Sequence, residues 1–289
     1  NTKRKQRSGS YQLYKLKNPP YERSLLLEAF ECAVGTKKRD VVNRMPLKKH
    51  LVNPWLVGTV SALCAKHHYR SKEEWKAVYL ESGTERNRLI ALLPKEEQNI
   101  ALSHKCPENI WTTYPHIAAL NFHYGRTREQ LNFFGNQLFE EVENKPNLKE
   151  IERRDARYLI KHFVVEEAWN DMQLRRQNTS TQLQTILQNQ DLSVEVQRLD
   201  SMTGALYAVD AEIYVAGVLK CAAVIKPLDY KKSFIVTEEA KKRNQEKNDR
   251  YKREKDVPVF CVLAKKDGTC FNPEIISKIT TACRERKAS

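Results

Sequence analysis

The stretch VDAEIYVAGVLKCAAVIKP, Val209 to Pro227, admits few folds. Two short runs of Ile, Val, Ala and Leu flank Ala216 and Gly217, which predicts two strands joined by a tight turn. A strand pair this apolar belongs inside a sheet, yet Asp210 enters the first strand and Lys226 leaves the second. Burying either charge without a partner is costly, and in an enzyme the partner can be a metal ion or a substrate. Alternation places Asp210 and Glu212 on one face of the first strand, and Val224 and Lys226 on one face of the second. Pro227 cannot donate to a ladder and keeps Lys226 extended at the strand's end. If the strands are adjacent, Asp210, Glu212 and Lys226 are expected to converge.

Around this hairpin the hydrophobic period changes. Residues 20–150 read as mainly helical: YERSLLLEAFECAV, the stretch from Asp40 to Leu51, KEEWKAVYLESG and TREQLNFFGNQLFEEVEN all carry apolar residues at three- and four-residue spacing. Thr127 and Gln130 open the last of these as a capping box, and Asn53-Pro54, Pro94, Cys106-Pro107 and Lys145-Pro146 punctuate the connections. A further helix is expected from Leu148 to Arg176, with Leu159, Ile160, Phe163 and Val164 as its apolar stripe. One turn on, Glu167 should point towards whatever that stripe packs on, with Glu166 beside it. RRQNTSTQLQTILQNQ then reads as a polar link with room for a short helix. Period two follows in LSVEVQRLD, GALYAVDAEIYV, GVLKCAAVIKP and VPVFCVLAKKDGTCF, before a closing helix in ISKITTACRERK. The C-terminal half therefore runs helix, three strands, charged helix, strand, helix.

Charge points to partners. Fifty Lys plus Arg against thirty-six Asp plus Glu leave +14, a field that attracts polyanions, nucleic acid first among them. A solubilising surface is the plainer alternative. The segment from Thr237 to Asp256, rich in Lys and Arg, suits a phosphate backbone or a solvated helix. His123 to Arg128 suits a DNA-facing loop or an ordinary turn. Seven scattered cysteines without a CxxC pair fit a reducing cytoplasm. The opening NTKRKQRSGS lacks the apolar core of a signal peptide, and no apolar run approaches the roughly 20 residues that span a bilayer, so secretion and membrane insertion are not expected. Cys64, His67, His68, His104 and Cys106 have a faint zinc look, but their spacing matches no strong zinc pattern and favours core thiols and surface histidines. No GxGxxG, P-loop, GxSxG or HExxH occurs.

Carboxylates that hold Mg²⁺, with a lysine that orients or deprotonates water, are what phosphodiester hydrolysis needs. AVDAEIYVAGVLKCAAVIKPLDY, with the preceding RLDSMTGAL, resembles the catalytic hairpin of the PD-(D/E)XK nuclease superfamily, particularly type II restriction endonucleases whose strand ends in I-K-P. The resemblance covers roughly residues 160–275. It implies an α/β fold, a mixed sheet flanked by helices: a nuclease core in residues 151–289, and a largely helical region in residues 1–150 for DNA contacts, dimerisation or both. It implies Asp210, Lys226 and either Glu166 or Glu167 as catalytic positions; with Glu212 added from the face of Asp210, the expected set is Asp210, Lys226, Glu212 and Glu167, with Asp210, Glu212, Glu167 and Ile225 around Mg²⁺, for which Mn²⁺ can substitute. It also implies a homodimer cutting double-stranded DNA at a short palindromic site.

One position departs from the family pattern, which has an acid two residues before the lysine; here it is Val224. Glu212 can supply that carboxylate, Glu167 can, or the site is disabled and the protein only binds DNA. Asp200 and Glu195 stand in reserve as ligands. Structural roles remain open too: Asp210 at a sheet edge, Lys226 blunting a strand end, Glu166 and Glu167 as an exposed pair. An RNA-binding protein or ribonuclease, stacking bases on its aromatics, is the remaining competitor.

Overall fold

The computed structural model describes residues 52–144, 151–231 and 238–285. The helices expected at residues 21–34 and from Asp40 to Leu51 lie outside them.

The regular elements described in the N-terminal part are all helices: α1 (Pro54–Val57), α2 (Val60–Ala65), α3 (Lys72–Ala91), α4 (Lys95–Leu102), α5 (Ile110–Thr113), α6 (Pro115–Phe122) and α7 (Arg128–Val142). Asn53 and Ser71 cap α1 and α3, each accepting a backbone N–H with its side chain. At α7 both halves of the Thr127–Gln130 capping box form, as the spacing predicts. Trp55, Trp75, Tyr79, Ile117, Leu131 and Leu138 fill the core between these helices. Trp75 Nε1 donates to the Val165 carbonyl at 2.8 Å and Tyr79 OH to that of Val57 at 2.8 Å, so the two large polar aromatics are buried without an orphaned donor.

Arg126 decides how the His123–Arg128 segment is used. Its side chain is 1 % exposed and donates to the carbonyls of Trp55, Asn121, Tyr124 and Gly125 at 2.7–3.0 Å. This arginine is an internal tie between α1 and α6, not a contact for DNA, whereas Arg128 is exposed.

The C-terminal part opens with α8 (Arg153–Lys161), a π-helical turn (His162–Glu166) and α9 (Glu167–Gln188), which follow one another without a break. The expected end at Arg176 and polar link are corrected: helix continues through them. Thr179, Leu183 and Leu187 recur every four residues and are fully buried, so a narrow stripe of α9 packs on the sheet although its composition is polar. Then come β1 (Val194–Arg198), α10 (Ser201–Tyr207), β2 (Ala211–Val215), β3 (Val218–Lys226), a 3-10 turn (Leu228–Lys231), α11 (Glu238–Lys255), β4 (Val259–Leu263) and α12 (Pro273–Arg284). The start of the expected strand at residues 204–215 is helix instead. Asp200 caps α10 by accepting from the backbone of Met202 and Thr203, and Ala208, at φ 56°, turns the chain into β2.

The four strands form one mixed sheet in the order β1-β2-β3-β4. The first three are an antiparallel meander; β4 joins β3 in parallel, which requires a crossover, and α11 supplies it. Ala216 and Gly217 both have positive φ, 50° and 77°, as the two-residue turn of a twisted hairpin demands. One face of the sheet packs Ile213, Cys221, Ala223 and Val262 against Leu183 and Leu187 of α9 and Ile279 of α12. The other packs Val209, Ala222 and Val224 against Tyr251 of α11. The chain is thus a mixed α/β protein, mostly helical, with a four-stranded mixed sheet. Among the described residues no helix is long and apolar enough to cross a membrane.

Replacing Arg126 by Met would leave buried carbonyls without donors, each costing about 1–3 kcal/mol. Urea unfolding should show Arg126→Met losing at least about 2 kcal/mol while the exposed Arg128→Met stays within about 0.5 kcal/mol of the parent; equal effects would contradict the internal role of Arg126.

Candidate functional site

Asp210 lies where β3 outruns β2. The register pairs Ala211 with Ala223, so Ile225 falls opposite Val209, just before β2 begins. The ladder is completed by a side chain: Asp210 Oδ2 accepts the Ile225 N–H at 2.7 Å, while the Asp210 backbone N–H donates to Ala223 O at 2.9 Å. An acid at this position therefore satisfies a buried donor that a strand would otherwise have to meet.

The other oxygen collects charge. Arg176, from α9, brings Nε to 2.7 Å from Asp210 Oδ1, and His68 Nε2 lies at 3.1 Å from the same atom. The Arg176 contact is short but poorly aligned, an ion pair without a directed hydrogen bond. Lys226, 1 % exposed, donates from Nζ to the Ala65 carbonyl at 3.0 Å and stands 3.4 Å from His68 Nδ1 and 5.1 Å from the centre of the Tyr230 ring. An ammonium has only protons to give, so Nδ1 accepts and the His68 proton sits on Nε2, where it donates to Asp210. Lys226 and Asp210 are thus joined through a neutral imidazole. Asp210 and His68 are each 6 % exposed, and the segment from Ala65 to His68 lies over Asp210 and Lys226.

The electrostatics follow. Burial, and then the Lys226 charge, lower the pKa of His68 to about 3. Burial also lowers Lys226 to about 8, against the opposing pull of Asp210. For Asp210 burial works in the raising direction, but Arg176, followed by His68 and Lys226, holds the carboxyl below its ordinary range.

The other sequence-predicted positions go elsewhere. Glu212 shares the face of Val224, not the Asp210 cluster: it pairs opposite Ala222 and accepts from Tyr214 OH at 2.7 Å and from Tyr251 OH. Val224 sits in the apolar cluster with Tyr251 and Val257. Glu167 opens α9 nine residues before Arg176, about 13 Å back along the helix axis. Glu166 accepts from His162 at 3.0 Å and faces Lys72 at 3.7 Å. Asp200 is the cap of α10, and Glu195 is exposed and bonded to Gln197. Of the faint zinc set, Cys64 is buried in the helical core, His67 packs edge-on against Tyr69, His104 against Phe133 and Phe134, and Cys106 is exposed.

Two members of the cluster are not among the sequence-predicted site residues. His68 stands out only within the faint zinc set, and Arg176 falls at the expected end of a helix that in fact continues. The HH pair at 67–68 and the RR pair at 175–176 are the only signals, and neither says which residue turns inwards.

Mg²⁺ asks for several oxygen ligands in near-octahedral geometry. Three contacts already occupy Asp210, leaving about one of a carboxylate's roughly four acceptor positions, and its neighbours are the cation Arg176, a His68 that points an N–H at it, and Lys226 behind His68. Glu212 is held by two tyrosines, Val224 offers hydrocarbon, and the Ile225 N–H is a donor. Among the described residues no group of three His, Cys, Asp or Glu is placed to hold a metal. As arranged, these residues do not fit the ion. Comparison with protein-family models, curated proteins and solved structures returned no match.

Two outcomes follow from the cluster. Asp210→Ala would strip the carboxylate from Arg176 and Lys226, and urea unfolding should register a loss of about 3–5 kcal/mol; a loss under about 1 kcal/mol would contradict the network. Below pH 6.5 the unfolded chain takes up a proton that buried His68 refuses, so stability falls as pH drops from about 6.5 towards 3. His68→Gln, less stable at neutral pH, should lose less than the parent between about pH 7 and 4.5; an equal acid loss would show that His68 carries none of it.

Proposed function

We propose that the chain is a DNA-acting protein of the PD-(D/E)XK nuclease kind, hydrolysing phosphodiester bonds of double-stranded DNA. The observation that carries this reading is the meeting of a buried acid and a buried lysine at the ends of adjacent strands, Asp210 before β2 and Lys226 closing β3. The order α9, three-stranded meander, crossover α11, parallel β4 supports it, because a mixed sheet flanked by helices is what the resemblance implies for residues 151–289. The charge of +14 supports DNA as the partner.

In this reading Lys226, lowered to about 8 by burial, holds or takes a proton at the attacking water. Asp210 keeps the strand ends in register through Ile225. Metal dependence requires Arg176 and His68 to release Asp210, since with both in place the carboxylate does not fit a divalent ion. Access requires the segment from Ala65 to His68 to move, because it covers both residues.

One observation favours a second reading. Val224 is packed into an apolar cluster where the family pattern has an acid, which suits a protein that binds DNA without cutting it.

Long mixed-sequence duplex DNA incubated with Mg²⁺, and separately with EDTA, distinguishes the two. Endonuclease activity predicts discrete fragments with Mg²⁺ alone, lost in Asp210→Asn and Lys226→Gln although both still shift DNA on a gel. Intact DNA with a salt-sensitive shift supports the binding-only reading, and cutting by Asp210→Asn overturns the site.

A further inference from the structure

A second charged site lies in the helical part, outside the Asp210 cluster. Lys76 of α3, Arg128 of α7 and Lys161 of α8 line one cavity of about 270 Å³, together with Leu80, Leu131 and Val165. The cations come from separate helices, so the tertiary fold gathers them; no single helix face does. Bringing like charges together is unfavourable unless something negative joins them. The one acid on the lining, Glu166, is already engaged by His162 at 3.0 Å and faces Lys72 at 3.7 Å. Among the described residues none of the three cations has an ion-pair partner within 4.0 Å. Glu129 acts on Lys161 from the first turn of α7, but it is outweighed by Arg128, Lys76 and Arg157, and burial with these neighbours lowers the lysine's pKa. Arg157 itself donates to Asn136 at 2.6 Å.

The lining also suits a ligand. Apolar side chains on the same lining as the cations exclude water from part of the cavity and strengthen the attraction of a bound anion to the charges. An arginine beside two lysines suits the oxygens of a phosphate: the guanidinium presents a planar fork and each ammonium a compact charge.

We propose that Lys76, Arg128 and Lys161 form a phosphate-binding site. The site is independent of whether the protein cuts DNA. Lys161 precedes Arg176 by fifteen residues in the α8–α9 run, roughly 22 Å along the axis, so the two sites are separate points on one rod. The phosphate can belong to a nucleic-acid backbone or to a free phosphate-bearing molecule, and the two sources make different demands on an experiment.

Three proteins decide the matter: the parent, Arg128→Ala/Lys161→Ala, and Lys95→Ala, which removes an exposed cation elsewhere. Each is titrated with inorganic phosphate by calorimetry and with a mixed-sequence duplex across a range of salt. A backbone phosphate predicts weaker duplex binding by the double variant alone, with the slope of log K against log salt shallower by about 0.9 for each phosphate no longer neutralised. A free-phosphate site predicts that inorganic phosphate binds the parent and Lys95→Ala and binds the double variant at least tenfold more weakly, with duplex slopes unchanged. The double variant matching the parent in both titrations overturns the proposal. Failure of every protein to bind duplex would count against the DNA reading, and the phosphate titration would still decide this site.

Discussion

A buried carboxylate that answers three demands at once holds this structure together. Asp210 completes the hydrogen bonding of β3 through Ile225, neutralises Arg176 from α9, and accepts from His68 of the N-terminal part. No apolar residue could meet any of these. A buried ion cluster is a poor source of net stability, because desolvation offsets most of the attraction, yet breaking one is expensive. Its consequence is specificity: the end of the hairpin, the long helix and the Ala65–His68 segment have one arrangement in which no charge is stranded.

This cluster also binds the helical part to the sheet. Lys226 reaches Ala65 across the boundary, Trp75 reaches Val165, and Asn244 of α11 donates to Lys66. The polar contacts lie around a hydrophobic core in which Leu159, Ile160 and Val164 pack with residues of α1 to α7. The residues with the most chemistry are therefore covered by the N-terminal helical part. His68 lies against both Asp210 and Lys226 and cannot leave without uncovering them.

Local signals in the sequence are readable where one short-range rule governs. The turn at Ala216 and Gly217 needs positive φ, the Thr127–Gln130 box needs its spacing, and, apart from α10 between β1 and β2, the order of strands and helices follows the change of period. They mislead where a tertiary contact decides. The segment at 175–190 looks like a link because it is rich in Gln and Asn, and only the stripe Thr179, Leu183, Leu187 betrays a helix held by the sheet. Residues 204–207 read as the start of a strand but belong to a helix that follows a capping Asp200. Glu212 and Val224 both pack towards Tyr251, and the convergence of Glu212 with Asp210 that alternation suggests does not follow: Asp210 precedes the strand proper and turns to β3's edge. His68 and Arg176 are distant in sequence from Asp210, and no spacing rule could choose them over His67 and Arg175.

Everything at the site turns on a neutral His68 that links Lys226 to Asp210 with its proton on Nε2. Imidazole ¹⁵N spectra of the folded protein, assigned with a His68→Gln control, test this near pH 5.5, where an ordinary histidine with a pKa of about 6.5 is mostly charged. The linkage requires one pyrrole-type nitrogen at Nε2 and one pyridine-type nitrogen at Nδ1, unchanged down to about pH 4.5. An imidazolium at pH 5.5, or the proton on Nδ1, would contradict it.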